Sequence, residues 1–376
     1  MKPLHLTGIA SVSPYGVFQG VIPQLPLEAR AVTNWKTEGV RRAYTVEPFR
    51  PVEFVPGIKT RRLDRLSTWA LVAASLAIHD AGIDLTQVDR SRVAVIFSTS
   101  FGCVEHTEAF FQSAAVRGWG GTDPILFPET LANSPASHVA LFHQLRGPNI
   151  TMAAKSFGGE SALLQAASLL RHGQADVAIV LAGDVLTQAI YQWYEAAGML
   201  SPECFTCETA NPPSGLIPSE GVAAIVMESC CRSTARTYAR LIDGRWAAGG
   251  DALAGSASGD AGGATLQSIR RLLGERQPDF VICTGAGAPC NPCTSANSVA
   301  ELAGLATLSS VPPSIPPERF AAGLVDTGGL FHLILALRGT LRGTPHGESV
   351  HGASALMLGT SGAHGHAALL LEILPV

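Results

Sequence analysis

The strongest constraint on this chain is a set of short, uninterrupted apolar runs, each set off by a helix-patterned or turn-rich stretch: RVAVIFSTS (92–100), ADVAIVLAG (175–183), GVAAIVMES (221–229) and DFVICTG (279–285). A strand with one face in water alternates apolar and polar residues, whereas a strand covered on both faces reads as a continuous apolar run. Between these runs lie segments with apolar residues at helical spacing. DRLSTWALVAASLAIHDAG (64–82) starts on an Asp cap and stops at Gly82, and further helices are predicted over 159–173, 264–276 and 328–342. The chain closes with strand-like ALMLGTS (355–361) and HAALLLEIL (366–374). Strands that read as continuous apolar runs and alternate with helices imply an α/β protein whose sheets are covered on both faces.

The order of elements after about residue 235 repeats the order before it, which predicts two similar halves, 1–235 and 236–376. No polar or Ser/Pro-rich linker separates them, so the 376 residues are expected to form one body. Charged residues are only 15% of the chain, against roughly 25% in ordinary soluble domains, so much of the surface is neutral or covered. The net charge of −4 and the absence of a polybasic run give no support to a nucleic-acid or anionic-membrane partner. No apolar run approaches the roughly 18 residues of a membrane helix, and MKPLHLTGIASVSPYG lacks a signal-peptide core. A cytoplasmic location without membrane contact is the expectation.

The chemistry is concentrated in GPNITMAAKSFGGESALLQAASLLRHGQADVAIVLAGD (147–184). An extended ITMAA breaks at Lys155-Ser156 and enters a helix through Gly158-Gly159. That strand, elbow and helix order puts Ser156 at a tight turn by a helix N-terminus, whose N–H groups and positive dipole end favour developing negative charge. Taken alone, Ser156 also fits a plain helix N-cap.

The same run resembles the nucleophile region of the β-ketoacyl synthases of the thiolase fold. The resemblance extends to RRLDRLSTWALVAASLAIHDAG (61–82), LANSPASHVALFHQLRGPN (131–149) and IPSEGVAAIVMES (217–229), and it covers nearly the whole chain. It implies two similar βαβαβαββ halves in a five-layer α-β-α-β-α arrangement. It also implies a Cys nucleophile and two His residues in an active member. Here Ser156 stands at the Cys position, Thr284 in CTGAGAP (283–289) at the first His position, and Leu324 in RFAAGLVDTGGLFHLILAL (319–337) at the second. A Ser hydroxyl is a weak nucleophile without a base in reach, and neither Thr284 nor Leu324 is a base. No condensation by this chain alone is expected.

Such degenerate synthases resemble chain-length-factor subunits. The resemblance implies a heterodimer with an active ketosynthase in a type II polyketide, aryl polyene or fatty-acid-like system, acting on acyl chains carried by the phosphopantetheine of an acyl carrier protein. It places residues 126–137 and the strand 149–154 at the partner, with Phe127, Leu131 and Asn133 as the contact residues. The flexible glycine-rich loop of the family corresponds to GTSGAHGHAAL (359–369), where His364 and His366 are candidate bases for a Ser156-dependent acyl transfer or thioester hydrolysis.

Other features carry plainer readings. Cys204-x-x-Cys207 and Cys290-x-x-Cys293 have the form of zinc-ligand pairs but are too far apart for a compact ribbon, so ordinary thiols are expected and no metal. Glu160 complements the dipole of its helix, and Lys155 fills or blocks the site. The glycines of 249–263 and 285–289 lack a dinucleotide-binding register, so no cofactor is expected. His106, His138, His143 and His172 are scattered, and Arg61, Arg62 and Arg65 form only a small basic cluster.

Overall fold

The computed structural model describes residues 2–22, 29–32, 35, 41–154, 157–201, 216–230, 236–247, 268–269, 271–274, 276–283, 314–315, 324, 327–337, 352–361 and 365–374. Thirteen strands are described: β1 (Leu4–Ser13), β2 (Gly16–Gln19), β3 (Arg30–Ala31), β4 (Arg42–Ala43), β5 (Val93–Thr99), β6 (Asn149–Ala153), β7 (Val177–Asp184), β8 (Gly221–Glu228), β9 (Ala239–Ala247), β10 (Phe280–Cys283), β11 (Ser314–Ile315), β12 (Ser354–Ser361) and β13 (Gly365–Ile373). The helices are α1 (Pro51–Phe54), α2 (Arg65–Asp80), α3 (Val104–Arg117), α4 (Ser134–His143), α5 (Gly158–Arg171), α6 (Gln188–Ala196) and α7 (Gly329–Ala336). Helical residues at 268–269 and 271–273 precede β10.

One path of strands runs β11-β10-β12-β13-β9-β1-β8-β7-β5-β6. Its two ends obey the same rule. In the first half the spatial order is third, second, fourth, fifth, first strand (β6-β5-β7-β8-β1), and in the second half it is again third, second, fourth, fifth, first (β11-β10-β12-β13-β9). The strand directions repeat as well. β5 is parallel to β6 and β7, as β10 is to β11 and β12; β7/β8 and β8/β1 are antiparallel, as are β12/β13 and β13/β9. The halves meet where β1 and β9 pair antiparallel, Leu4 opposite Leu241 and Leu6 opposite Ala239.

Side-chain alternation turns each strand into a partition between two cores. Along β7, Ala178, Val180 and Ala182 enter a central core while Val177, Ile179 and Leu181 enter an outer one under α2. Along β12, Ala355 and Met357 face the central core, and Leu356 and Leu358 face a second outer core with Ile269, Leu272 and Leu273. The central core holds α5 and α7 between the two sheets. The layers are therefore helix, sheet, helix, sheet, helix, as expected for a thiolase-like fold. The apolar runs are continuous because both faces of each strand are buried.

Local signals set the element ends. The Asp64 carboxylate accepts from the Leu66 N–H at 2.6 Å to cap α2, and Gly82 at φ +64° ends it. The two strands at the middle of the path were not legible as apolar runs. β1 carries Thr7, Gly8 and Ser11, and β9 carries Arg240, Asp243 and Arg245.

Candidate functional site

The elbow forms where β6 gives way to α5. Ser156 and Lys155 lie outside the described residues, and the chain is described again at Phe157, whose φ of 40° and ψ of 41° are left-handed. A bulky residue takes that conformation only where the surroundings enforce it. Phe157 packs against the central core, and α5 starts at Gly158. Gly159 lets the N-terminus of α5 close on that of α7, since a Cβ there would stand 2.8 Å from the Leu330 nitrogen.

Glu160, in the first turn of α5, is buried to 1% exposure. Its carboxylate lies against Gly329, the first residue of α7, where a Cβ would overlap both carboxylate oxygens. On the other side is Gly359 of β12, where a Cβ would stand 2.6 Å from the Glu160 Oε1 and 2.7 Å from the Phe157 Cβ. The glycine-rich segment 359–369 therefore begins at the elbow. Ser161 adds a contact to the second half, its hydroxyl accepting from the indole N–H of half-exposed Trp246 at 3.2 Å.

Leu324, which the resemblance sets at the position of the second family His, is 3% exposed and belongs to the central core. Its carbonyl accepts from the N–H groups of Thr327 (3.1 Å) and Gly328 (2.8 Å), forming the turn into α7. An isobutyl side chain offers no proton donor or acceptor to a reacting atom. Thr284 lies outside the described residues, just after β10. His364 does too. His366 pairs through its backbone with Thr360, one ladder step beyond Gly359 opposite Ala367, so it sits at the end of the sheet nearest the elbow.

Asp184, at the end of β7, is a buried node. Its Oδ1 accepts from the Thr99 hydroxyl at 2.6 Å and from the N–H groups of Ser100 (2.9 Å) and Phe101 (3.0 Å), and its Oδ2 accepts from the Thr327 hydroxyl at 3.0 Å. Burial raises its pKa above the ordinary carboxylate value while the Thr99, Phe101 and Ser100 donors act the other way. The sequence signal was present, a lone carboxylate closing an all-apolar strand, but its partner 143 positions away was not readable.

Arg65, 42% exposed at its side chain, is tied to two carboxylates. It donates to Glu105 at 2.6 Å and to Glu220 at 3.2 Å. Glu220 also accepts from the N–H groups of Val46 (3.0 Å) and Leu186 (3.1 Å); burial raises its pKa and Arg65 lowers it. All three residues of the basic cluster are exposed, and Arg61 and Arg62 lie outside this network. Three of the four scattered histidines are held by hydrogen bonds within the fold: His138 pairs with Glu129 at 2.8 Å, His143 with the Ser75 hydroxyl at 2.9 Å, and His172 with the Ser168 carbonyl at 2.8 Å. Cys103 is buried, which pushes its thiol pKa up. Cys204, Cys207, Cys290 and Cys293 lie outside the described residues, and among the described residues no three ligand-type side chains group as a metal site.

Phe127, Leu131 and Asn133 are all exposed. Phe127 stacks on Phe110 at 5.7 Å between centroids. Nearby, β6 ends the path of strands and pairs with β5 alone among the described residues.

Residues 29–231 match the sequence profile described as "Beta-ketoacyl synthase, N-terminal domain". The chain belongs to the β-ketoacyl synthase family. This ketosynthase-family chain is similar to the 3-oxoacyl-[acyl-carrier-protein] synthase 2 of Vibrio harveyi, at 24% identity over 80% of this chain and 75% of that protein. It shares its fold with the ishigamide ketosynthase/chain length factor, with a TM-score of 0.71 at 20% identity over 99% of this chain and 100% of the other. A type II polyketide synthase acyl-carrier protein in complex with its ketosynthase bound to the hexaketide also aligns, with a TM-score of 0.73 at 16% identity over 99% of each chain. Its described helices include none long and apolar enough to cross a membrane.

Proposed function

We propose that this chain is a non-catalytic, chain-length-factor-like subunit that pairs with an active β-ketoacyl-acyl-carrier-protein synthase and shapes or stabilises its acyl pocket. The observation that carries the reading is Leu324: the residue that the resemblance sets at the second His position is an aliphatic side chain packed into the central core. Decarboxylative condensation needs donors aimed at a developing enolate, and this side chain supplies none. The partner is supported by the outer edge of β6, which pairs with β5 alone among the described residues, and by the exposed apolar side chains Phe127 at 51%, Leu131 at 43% and Leu141 at 72% exposure. An open strand edge flanked by large apolar groups is costly to leave in water. The repeated strand order supports the division into halves 1–235 and 236–376, and acyl chains on a carrier protein are the proposed substrate class of the pair.

Co-expression with a ketosynthase that keeps Cys, His and His tests the reading. The expected result is a stable heterodimer in which the partner's solubility or product length depends on this chain. Purification as a homodimer or monomer, with no effect on the ketosynthase, would refute it.

A second reading is supported by the backbone position of His366 beside the elbow. There Ser156 would be acylated by an acyl thioester, its proton passing to the imidazole and the thiol leaving. A covalent adduct on incubation with acyl thioesters, lost in Ser156→Ala, is its signature in mass spectrometry.

A further inference from the structure

Helix α3 rests on the molecule through little apolar surface. Of its 14 residues only Phe110 is buried. Polar contacts fasten its N-terminal end: Arg65 donates to Glu105 at 2.6 Å, the Thr187 hydroxyl to Glu108 at 2.7 Å, and the Thr107 hydroxyl to the Thr130 carbonyl at 3.1 Å. The first turn of α3 meets the first turn of α2, where the Ser67 hydroxyl and the Cys103 thiol lie 3.9 Å apart. A helix that buries so little owes its position to such contacts, so one bond more or less changes how firmly it is docked.

Two polar atoms are left over in that corner. Asp64 is 2% exposed; its Oδ1 accepts from the Leu66 N–H, while its Oδ2 is buried without a hydrogen-bond partner. In the first turn of α3 the Nδ1 of His106 is likewise buried without one. Each such atom has given up its hydration for nothing. Arg65, although next to Asp64, spends its donors on Glu105, Glu220 and the Leu186 carbonyl.

The titratable groups around Asp64 are Arg65 on its own helix and Glu105, His106 and the Cys103 thiol at the start of α3. Glu220, ahead of β8, acts on Arg65, and Glu129, ahead of α4, acts on Cys103. Burial and then Glu105 raise the Asp64 carboxyl to about 6, with the Leu66 N–H and His106 acting the other way. One proton is enough to satisfy both leftover atoms. On the carboxyl it makes Oδ2 a donor toward Nδ1, and on the imidazole it makes Nδ1 a donor toward Oδ2.

We propose that Asp64 and His106 form a proton-operated latch between the first turns of α2 and α3, in which uptake of one proton by the pair closes a hydrogen bond between them and docks α3 more firmly. Phe110 of α3 stacks on Phe127 at 5.7 Å between centroids, so the latch also steadies the face assigned to a partner subunit. That consequence rests on the heterodimer reading; the latch itself does not.

Native-state hydrogen exchange on the full chain, without a partner, tests the latch. Peptides covering 104–117 are followed by mass spectrometry from about pH 5 to about pH 8, with the intrinsic pH dependence of amide exchange divided out. Protection of α3 is expected to rise about tenfold as the pH falls across that range, with no matching rise in α5. Asp64→Asn keeps an oxygen to cap α2 and places a permanent N–H toward His106, so α3 is expected to hold the high protection at every pH. His106→Leu removes the other half of the pair and is expected to leave α3 at the low protection throughout. The two variants depart from the parent in opposite directions, and either one decides the question if the other does not fold. A flat profile in the parent overturns the proposal, as does an equal rise in α5, a rise that persists in either variant, or a flat but low profile in Asp64→Asn. Co-purification with a ketosynthase is scored separately, so failure of the partner reading and failure of the latch give different results.

Discussion

Thr327 donates its hydroxyl to the Oδ2 of Asp184 over 3.0 Å, joining the turn that contains Leu324 to the end of β7. Both residues are buried, and the other oxygen of Asp184 holds the backbone that follows β5. The turn that leads into α7 is thus fastened to the end of β7.

Thr327→Val is isosteric and removes one donor from a fully buried carboxylate. The expected cost is about 1–3 kcal/mol of unfolding free energy, and Asp184→Ala, which strands two hydroxyls and two N–H groups, costs more. Urea unfolding measures both, and equal stability of Thr327→Val and the parent would show that the contact is dispensable.

Gly329→Ala places a methyl group on the Glu160 carboxylate. A loss of about 1–3 kcal/mol is expected from that overpacking. In a Glu160→Ala background the same change is expected to cost much less, so the double-mutant cycle should show coupling. Additive effects would mean that the two residues do not meet.

His332 on α7 is buried, has no hydrogen-bond partner for either ring nitrogen among the described residues, and has its pKa pushed down to about 4 by burial. Between its ordinary value of 6.5 and about 4 the unfolded chain takes up a proton that the folded chain refuses. Stability therefore falls on acidification through that window, by up to about 1.4 kcal/mol per pH unit. His143, also pushed down to about 4 by burial and then by Arg90, acts with the same sign. Asp64, raised to about 6 by burial and then by Glu105, acts oppositely: the folded chain protonates first, which adds stability as pH falls from about 6 toward 3.8. His332→Leu is expected to flatten the net acid-side loss and to raise stability at neutral pH, read from urea unfolding at a series of pH values. An unchanged slope would place the acid sensitivity elsewhere.

Phe127→Asp and Leu131→Asp act on exposed side chains, so the isolated chain should keep its stability within about 0.5 kcal/mol. Co-purification with the ketosynthase is expected to be lost in each. Retention in both would move the interface away from this face.

How much of this was readable in advance depended on whether the cause was local. Strands buried on both faces announce themselves through uninterrupted apolar runs, and α2 announces itself through the Asp64 cap and Gly82. Phe157 at the elbow is flanked by the local pattern of strand, small residues and helix that predicted it. Ser156, Thr284 and Leu324 are set at family positions by the resemblance alone, and of the three only Leu324 is described.

The rest depends on residues far apart in the chain. β1 and β9 carry polar and charged residues among their apolar ones and become the seam between the halves only because they pair with each other. Glu160 looks like any acidic residue in a first helical turn until Gly329 and Gly359, both more than 160 positions away, close around it. Asp184 ends a strand in the sequence, and only folding brings Thr327 to its second oxygen. Local pattern dictates which segments become strands and helices, because propensity and burial act residue by residue. Which charges end up buried against which backbone follows from close packing between elements.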